Sequence, residues 1–176
     1  ADADVAKAKA ATAAVLREFD RLHRTYHAWQ PSELTALNDA IAAGKPQAVT
    51  PELAGFITEA QAVTKAGDRL FDPGIGGLVR LWGFQSEEFR AVLPDPAALA
   101  AWRAAAPSIA DLRVADGKVS SPRREVALDF GGYLKGVALD RAAAALREAG
   151  IANALINIGG NVMALGSKHG EPWRVG

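Results

Sequence analysis

The chain has 176 residues, is 49% hydrophobic and 23% charged, and carries 20 basic and 20 acidic side chains. This is a globular composition of single-domain size, and a net charge near zero gives no electrostatic case for nucleic acid or an anionic membrane. There is no cysteine, so disulfides, thiolate metal sites and cysteine nucleophiles are excluded.

The N-terminal run A-D-A-D-V-A-K lacks an initiator Met and is not itself a signal peptide, though it could follow a removed one. Val15, Phe19, Leu22 and Tyr26 recur at helical spacing and predict a long amphipathic helix over roughly the first thirty residues. Ser32 reads as the N-cap of a short helix that ends near Ala43, with Gly44 as its stop. Thr50 caps the next helix with Pro51 in its first turn, and Leu53, Ile57, Ala60 and either Val63 or Thr64 carry it to Gly67. The Gly-punctuated segment Phe71–Phe84 predicts one short helix, and Pro96 opens another that runs through Ala105. Leu112, Val114, a turn at Asp116-Gly117 and Val119 suggest a small hairpin.

Val126, Leu128 and Phe130 alternate as in a strand. Leu134, Ala138, Ala142, Ala145 and Ala149 then form one helical face. A second strand is expected through A-L-I-N-I-G-G-N-V-M-A-L-G, with Gly159-Gly160 marking a bulge or a close approach. No apolar run nears the roughly 18 residues of a membrane span. The chain stops at Trp173-Arg174-Val175-Gly176, within what reads as a strand, so a truncated domain is expected. The fold expected is α+β, helix-rich, as one domain over residues 1–176.

The richest stretch is D-F-G-G-Y-L-K-G, Asp129 to Gly136. Gly131 and Gly132 lie where a strand turns into a helix, and Lys135 lies in that helix's first turn. Such a junction directs backbone N–H groups and a positive dipole end at one place, and glycine permits close approach. An ordinary tight connection accounts equally well for a bare Gly-Gly, and the lysine together with the second glycine pair, Gly159-Gly160, tips the balance toward a phosphate-bearing ligand. The spacing of Gly131-Gly132 and Gly159-Gly160 brings both pairs to the same end of a strand–helix–strand unit. No G-x-G-x-x-G opens a helix, so a dinucleotide-binding fingerprint is lacking.

Asp129 could accept hydrogen bonds from a ligand's ring N–H or ribose, or simply cap the following helix. Asp72, in F-D-P-G, could be a turn residue, and Trp29, at a helix exit, could stack on a planar ring or join the core. His23 and His27 have the spacing of a zinc pair but lack the Glu of H-E-x-x-H, so a metal role is disfavoured; His169 sits in a polar turn. Nothing suggests a Ser-His-acid triad, and no catalytic residue is assignable.

Four ordered segments, H-A-W-Q-P-S-E-L-T-A-L-N, F-D-P-G-I-G-G-L-V-R-L-W-G-F, L-D-F-G-G-Y-L-K-G-V-A-L-D-R and N-I-G-G-N-V-M-A-L-G with P-W-R-V-G, resemble the ApbE family of flavin transferases. The resemblance runs from about Phe19 to Gly176. It implies an ApbE-like α+β fold that binds FAD and Mg²⁺ and moves FMN onto a threonine hydroxyl of an acceptor protein, releasing AMP. By the same resemblance, Trp29 matches the aromatic that stacks on the isoalloxazine. Leu70, Phe71 and Asp72 match a flavin-contacting segment, Asp129 and Lys135 match FAD-binding positions, and Gly132 matches a residue whose carbonyl helps hold the metal. An exported or periplasmic location is implied, with membrane anchoring as an option.

The chain departs from the family pattern in several places. Tyr133-Leu134 replace a small apolar pair, Asn161 replaces an aspartate, and a loop shorter by one residue leaves Tyr26 as a rival to Trp29. The family's later segment, with its acidic and hydroxyl metal ligands, has no counterpart here. A non-catalytic FAD-binding or flavin-trafficking module is therefore the alternative to an enzyme.

Overall fold

The computed structural model describes residues 2–88 and 92–176. The chain forms two compact units, Ala1–Arg24 with Gly132–Gly176, and Thr25–Gly131. Helix and sheet are mixed, as expected for α+β.

In the first unit, helix α1 (Asp2–Thr25) and helix α6 (Leu134–Glu148) cover a two-stranded antiparallel sheet of β4 (Ala154–Ile158) and β5 (Asn161–Leu165). Ala11 and Val15 of α1 meet Leu139, Ala142, Ala143 and Leu146 of α6 and Ile156 and Leu165 of the sheet. The buried residues of α6 are Ala138, Leu139, Ala142, Ala143 and Leu146; of the five positions read from the sequence, Ala138 and Ala142 are buried and Ala145 and Ala149 pack partly buried against the same core. Leu139 and Leu146 are the largest side chains of that buried set. Glu18 of α1 binds Arg21 and reaches Arg141 of α6 at 2.6 Å. The Arg21 hydrogen bond foremost, and then Arg141, hold its carboxyl below the usual range.

Gly159-Gly160 are not a bulge within a continuing strand. They are the two-residue loop of a hairpin, with φ of 55° and 89°, joining Ile158 to Asn161. Both positions need left-handed backbone, which only glycine adopts without strain, and this is the preferred loop for twisted strands. The closing residues 172–176 lie outside any strand, contrary to expectation, and the Trp173 indole N–H donates to the Leu165 carbonyl at 2.8 Å.

The second unit is held by α2 (Glu33–Ala42), α3 (Pro51–Ala66), α4 (Gly76–Leu81) and α5 (Pro96–Ala105) around a three-stranded antiparallel sheet. The sheet order is β1 (Gln47–Ala48), β3 (Lys118–Ser120), β2 (Arg113–Ala115), and the β2–β3 turn is Asp116-Gly117 as predicted. Ser32 caps α2 reciprocally with Thr35, and Thr50 caps α3 behind Pro51. Thr64, 1% exposed, and not Val63, 45% exposed, lies on the inner face of α3. Leu34, Leu37, Ile41, Leu53, Ile57, Ile109, Leu128 and Phe130 are fully buried.

The strand expected over Val126–Phe130 is not formed, although all three alternating residues are buried. Its backbone finds other partners. Ala127 bridges Ile75, and the Asp129 N–H donates to the Pro73 carbonyl at 2.9 Å. The buried Asn38 amide accepts from the Leu128 N–H at 2.7 Å and donates to the Leu128 carbonyl at 2.9 Å. A side chain thus stands in for a neighbouring strand and satisfies both backbone groups of Leu128.

Candidate functional site

In the second unit a cleft of about 510 Å³ opens between the end of the Tyr26–Pro31 turn, α2 and the segment after α4. Trp29, Ser32, Asn38, Asp39, Arg80 and Gln85 are among its lining residues. Trp29 is 43% exposed, unusual for so large an aromatic and suited to offering a ring face to a ligand.

Its position is set by His27, a residue that sequence reasoning considered only as a metal ligand. The His27 Nδ1 accepts from the backbone N–H groups of Trp29 and Gln30 at 3.3 and 3.1 Å, and the two rings meet edge to face at 4.4 Å. Ser32 Oγ closes the same turn by donating to the His27 carbonyl at 2.7 Å. Tyr26, the rival aromatic, is buried; its ring packs edge-on against Phe56 and its hydroxyl donates to Glu52.

Asp129 adjoins this cleft through an intermediary. Its Oδ1 accepts from the Gly131 N–H at 2.9 Å and its Oδ2 from the Gln85 amide at 3.0 Å. Gln85 Oε1 in turn accepts from Arg80 Nε at 3.4 Å. Asp129 does not cap the helix that follows, since the N-cap position of α6 is Tyr133 and no side chain caps it. Asn38 and Gln85 carried no signal in the sequence, because their roles depend on contacts across 90 and 44 residues of chain, and Arg80 enters only through Gln85.

Leu70, Phe71 and Asp72 are not among the residues lining that cleft. Leu70 is 94% exposed and Phe71 half-buried. Asp72 is committed to structure: Oδ1 accepts from Gly74 N–H at 2.8 Å and Ile109 N–H at 2.9 Å, and Oδ2 from Ser108 Oγ. Gly74 must be glycine there, because a Cβ would come within 2.4 Å of the Ile109 nitrogen.

In the first unit, Lys135 lies in the opening turn of α6 as expected, and a Cβ on Gly159 would lie 3.3 Å from its ammonium. The start of α6 and the glycine hairpin are therefore neighbours, which gives one ammonium beside an uncapped helix start and a turn of glycines. This suits an anion such as phosphate. Gly132 sits in the exposed turn before α6. Among the described residues no three His, Cys, Asp or Glu side chains come together as a metal site. One carbonyl from Gly132 does not amount to the near-octahedral oxygen set that Mg²⁺ requires.

A model of the ApbE family matches residues 2–176. The chain is 41% identical over 170 residues to an FAD:protein FMN transferase of Rhodobacter capsulatus, covering 97% of this chain and 32% of that protein. It is 27% identical to one from Haemophilus influenzae, across 92% of this chain and 47% of the relative. The flavin transferase ApbE of Vibrio cholerae superimposes with a TM-score of 0.81 at 28% identity, covering 95% of this chain and 54% of that one. The ApbE protein of Thermotoga maritima gives 0.81 at 25% identity, covering 93% and 53%. The chain thus spans between a third and about half the length of these proteins. Matched along nearly its whole length in sequence and in fold, the chain belongs to the ApbE family.

Proposed function

We propose that this chain forms the flavin-binding part of an FAD:protein FMN transferase. In that reaction a threonine hydroxyl of an acceptor protein attacks the FMN phosphorus of FAD. A phosphoester bond forms, the pyrophosphate P–O–P bond breaks, and AMP leaves. The observation that carries the reading is the cleft beneath the exposed Trp29, backed by the Gln85–Asp129 pair. Trp29 would take the isoalloxazine face; within the other unit, Lys135 beside Gly159 is suited by its charge to a phosphate. Leu70 and Phe71 are proposed to touch the flavin from an exposed loop, and Asp72 to hold that loop in place. The names borne by the relatives support the choice of FAD over other planar, phosphate-bearing ligands.

Magnesium is proposed as the cofactor of the complete reaction, with the Gly132 carbonyl as one ligand. The described side chains do not complete such a site. An exported or periplasmic setting is part of the proposal and rests on the family resemblance. No helix among the described residues is long and apolar enough to cross a membrane.

The test is in-gel flavin fluorescence of a denatured threonine-bearing acceptor after incubation with FAD, with and without EDTA. A protein as long as its relatives should label the acceptor only when Mg²⁺ is free, and the 176-residue chain should leave it dark. A longer protein that binds FAD yet never labels an acceptor would favour the FAD-binding or trafficking module.

A further inference from the structure

Resting on the flavin reading of the Trp29 cleft, we infer that Gln85 is the residue that reads the imide edge of the isoalloxazine. Asp129 acts behind it as the group that fixes its amide. Gln85 lines the cleft, whereas Asp129 is not among the lining residues. The Asp129 carboxylate is itself immobilised, by the Gly131 N–H on Oδ1 and by its own backbone N–H on the Pro73 carbonyl.

An ionised carboxylate only accepts hydrogen bonds, so the NH₂ end of the Gln85 amide must face Asp129. Arg80 only donates, and its Nε faces Oε1 at 3.4 Å. Two groups of opposite chemistry therefore impose the same orientation on one amide. What remains is one N–H of Nε2 and one lone pair of Oε1.

That remainder matches a flavin and mismatches a bare carboxylate. The flavin imide presents an N3–H flanked by two carbonyl oxygens. An amide accepts from the N–H and donates to an adjacent carbonyl, whereas a carboxylate in its place would set negative charge against both oxygens. Trp29 offers a face for the ring and Gln85 an edge, and both line one cleft. A ligand lacking an adjacent donor and acceptor leaves the desolvated amide unsatisfied, which makes Gln85 a specificity-determining residue.

The experiment compares dissociation constants for riboflavin and N3-methylriboflavin, read by flavin fluorescence, on the purified wild type, Gln85→Met and Asp129→Asn. The methyl group removes the N3–H. The wild type should bind riboflavin about tenfold more tightly than the methylated flavin, the worth of one hydrogen bond. Gln85→Met, similar in volume, should bind the two about equally, near the wild type's value for the methylated one. Asp129→Asn, which frees the amide to flip, should shrink the discrimination without removing riboflavin binding, and it serves if the Met variant does not fold. Equal affinities in the wild type, or undiminished discrimination in both variants, would overturn the assignment of Gln85 while leaving a flavin site standing. Failure of the wild type to bind riboflavin at all would take down the flavin reading and this inference with it.

Discussion

Tyr26 and Trp29, neighbours in one turn, end in opposite environments, and the hydroxyl decides which is which. Burial first, and then the hydrogen bond to Glu52, push the Tyr26 phenol well above its usual range. A raised native pKa stabilises the fold fully below about pH 10, where an unfolded tyrosine begins to ionise, and that contribution is lost as pH climbs toward the native value. Tyr26→Phe should cost about 1 kcal/mol near neutral pH by removing the hydrogen bond to Glu52. It should also flatten part of the decline in stability above pH 10; urea denaturation of both proteins from pH 7 to 11 measures both effects. The sequence offered both aromatics for stacking and could not separate them. The distinction lies with Phe56, Glu52 and the His27 ring, and only Trp29's closeness to His27 was visible in the chain.

Element boundaries were the most legible feature, because caps and breakers are local. Ser32, Thr50 and Pro96 start helices where the chain says they should, and Asp116-Gly117 turns a hairpin. Where partners come from a distance, legibility failed. The alternation of Val126, Leu128 and Phe130 correctly marked an extended, buried segment. That the Asn38 amide, 90 residues away, would replace a strand beside it had no local signal. Asn38→Leu keeps the volume but leaves the Leu128 N–H and carbonyl buried without partners, at about 2–5 kcal/mol for the two groups. A melting temperature lowered by many degrees is expected, and an unchanged one would show that the segment finds another partner. The glycine hairpin failed for a different reason: apolar residues on both sides of Gly159-Gly160 fit one continuous strand as well as two antiparallel ones.

At the scale of the whole molecule, the site residues named from the family resemblance fall into both compact units. Trp29, Leu70, Phe71, Asp72 and Asp129 belong to one, and Gly132 and Lys135 to the other. Lys135→Ala should weaken FAD and AMP while sparing riboflavin, since its charge serves only near phosphate, and titrating the three ligands checks it. An equal loss for riboflavin would mean a damaged fold. The central claim is that a flavin ring lies on Trp29. Base–aromatic stacking is worth about 1–3 kcal/mol, which corresponds to about one to two decades of affinity. The decisive measurement is the FAD dissociation constant of wild type and Trp29→Ala, with circular dichroism confirming that both are folded. One FAD per wild-type chain and a roughly 10- to 100-fold weaker constant for the variant are expected; a folded variant that binds FAD as tightly as wild type would show that the ring does not lie on Trp29.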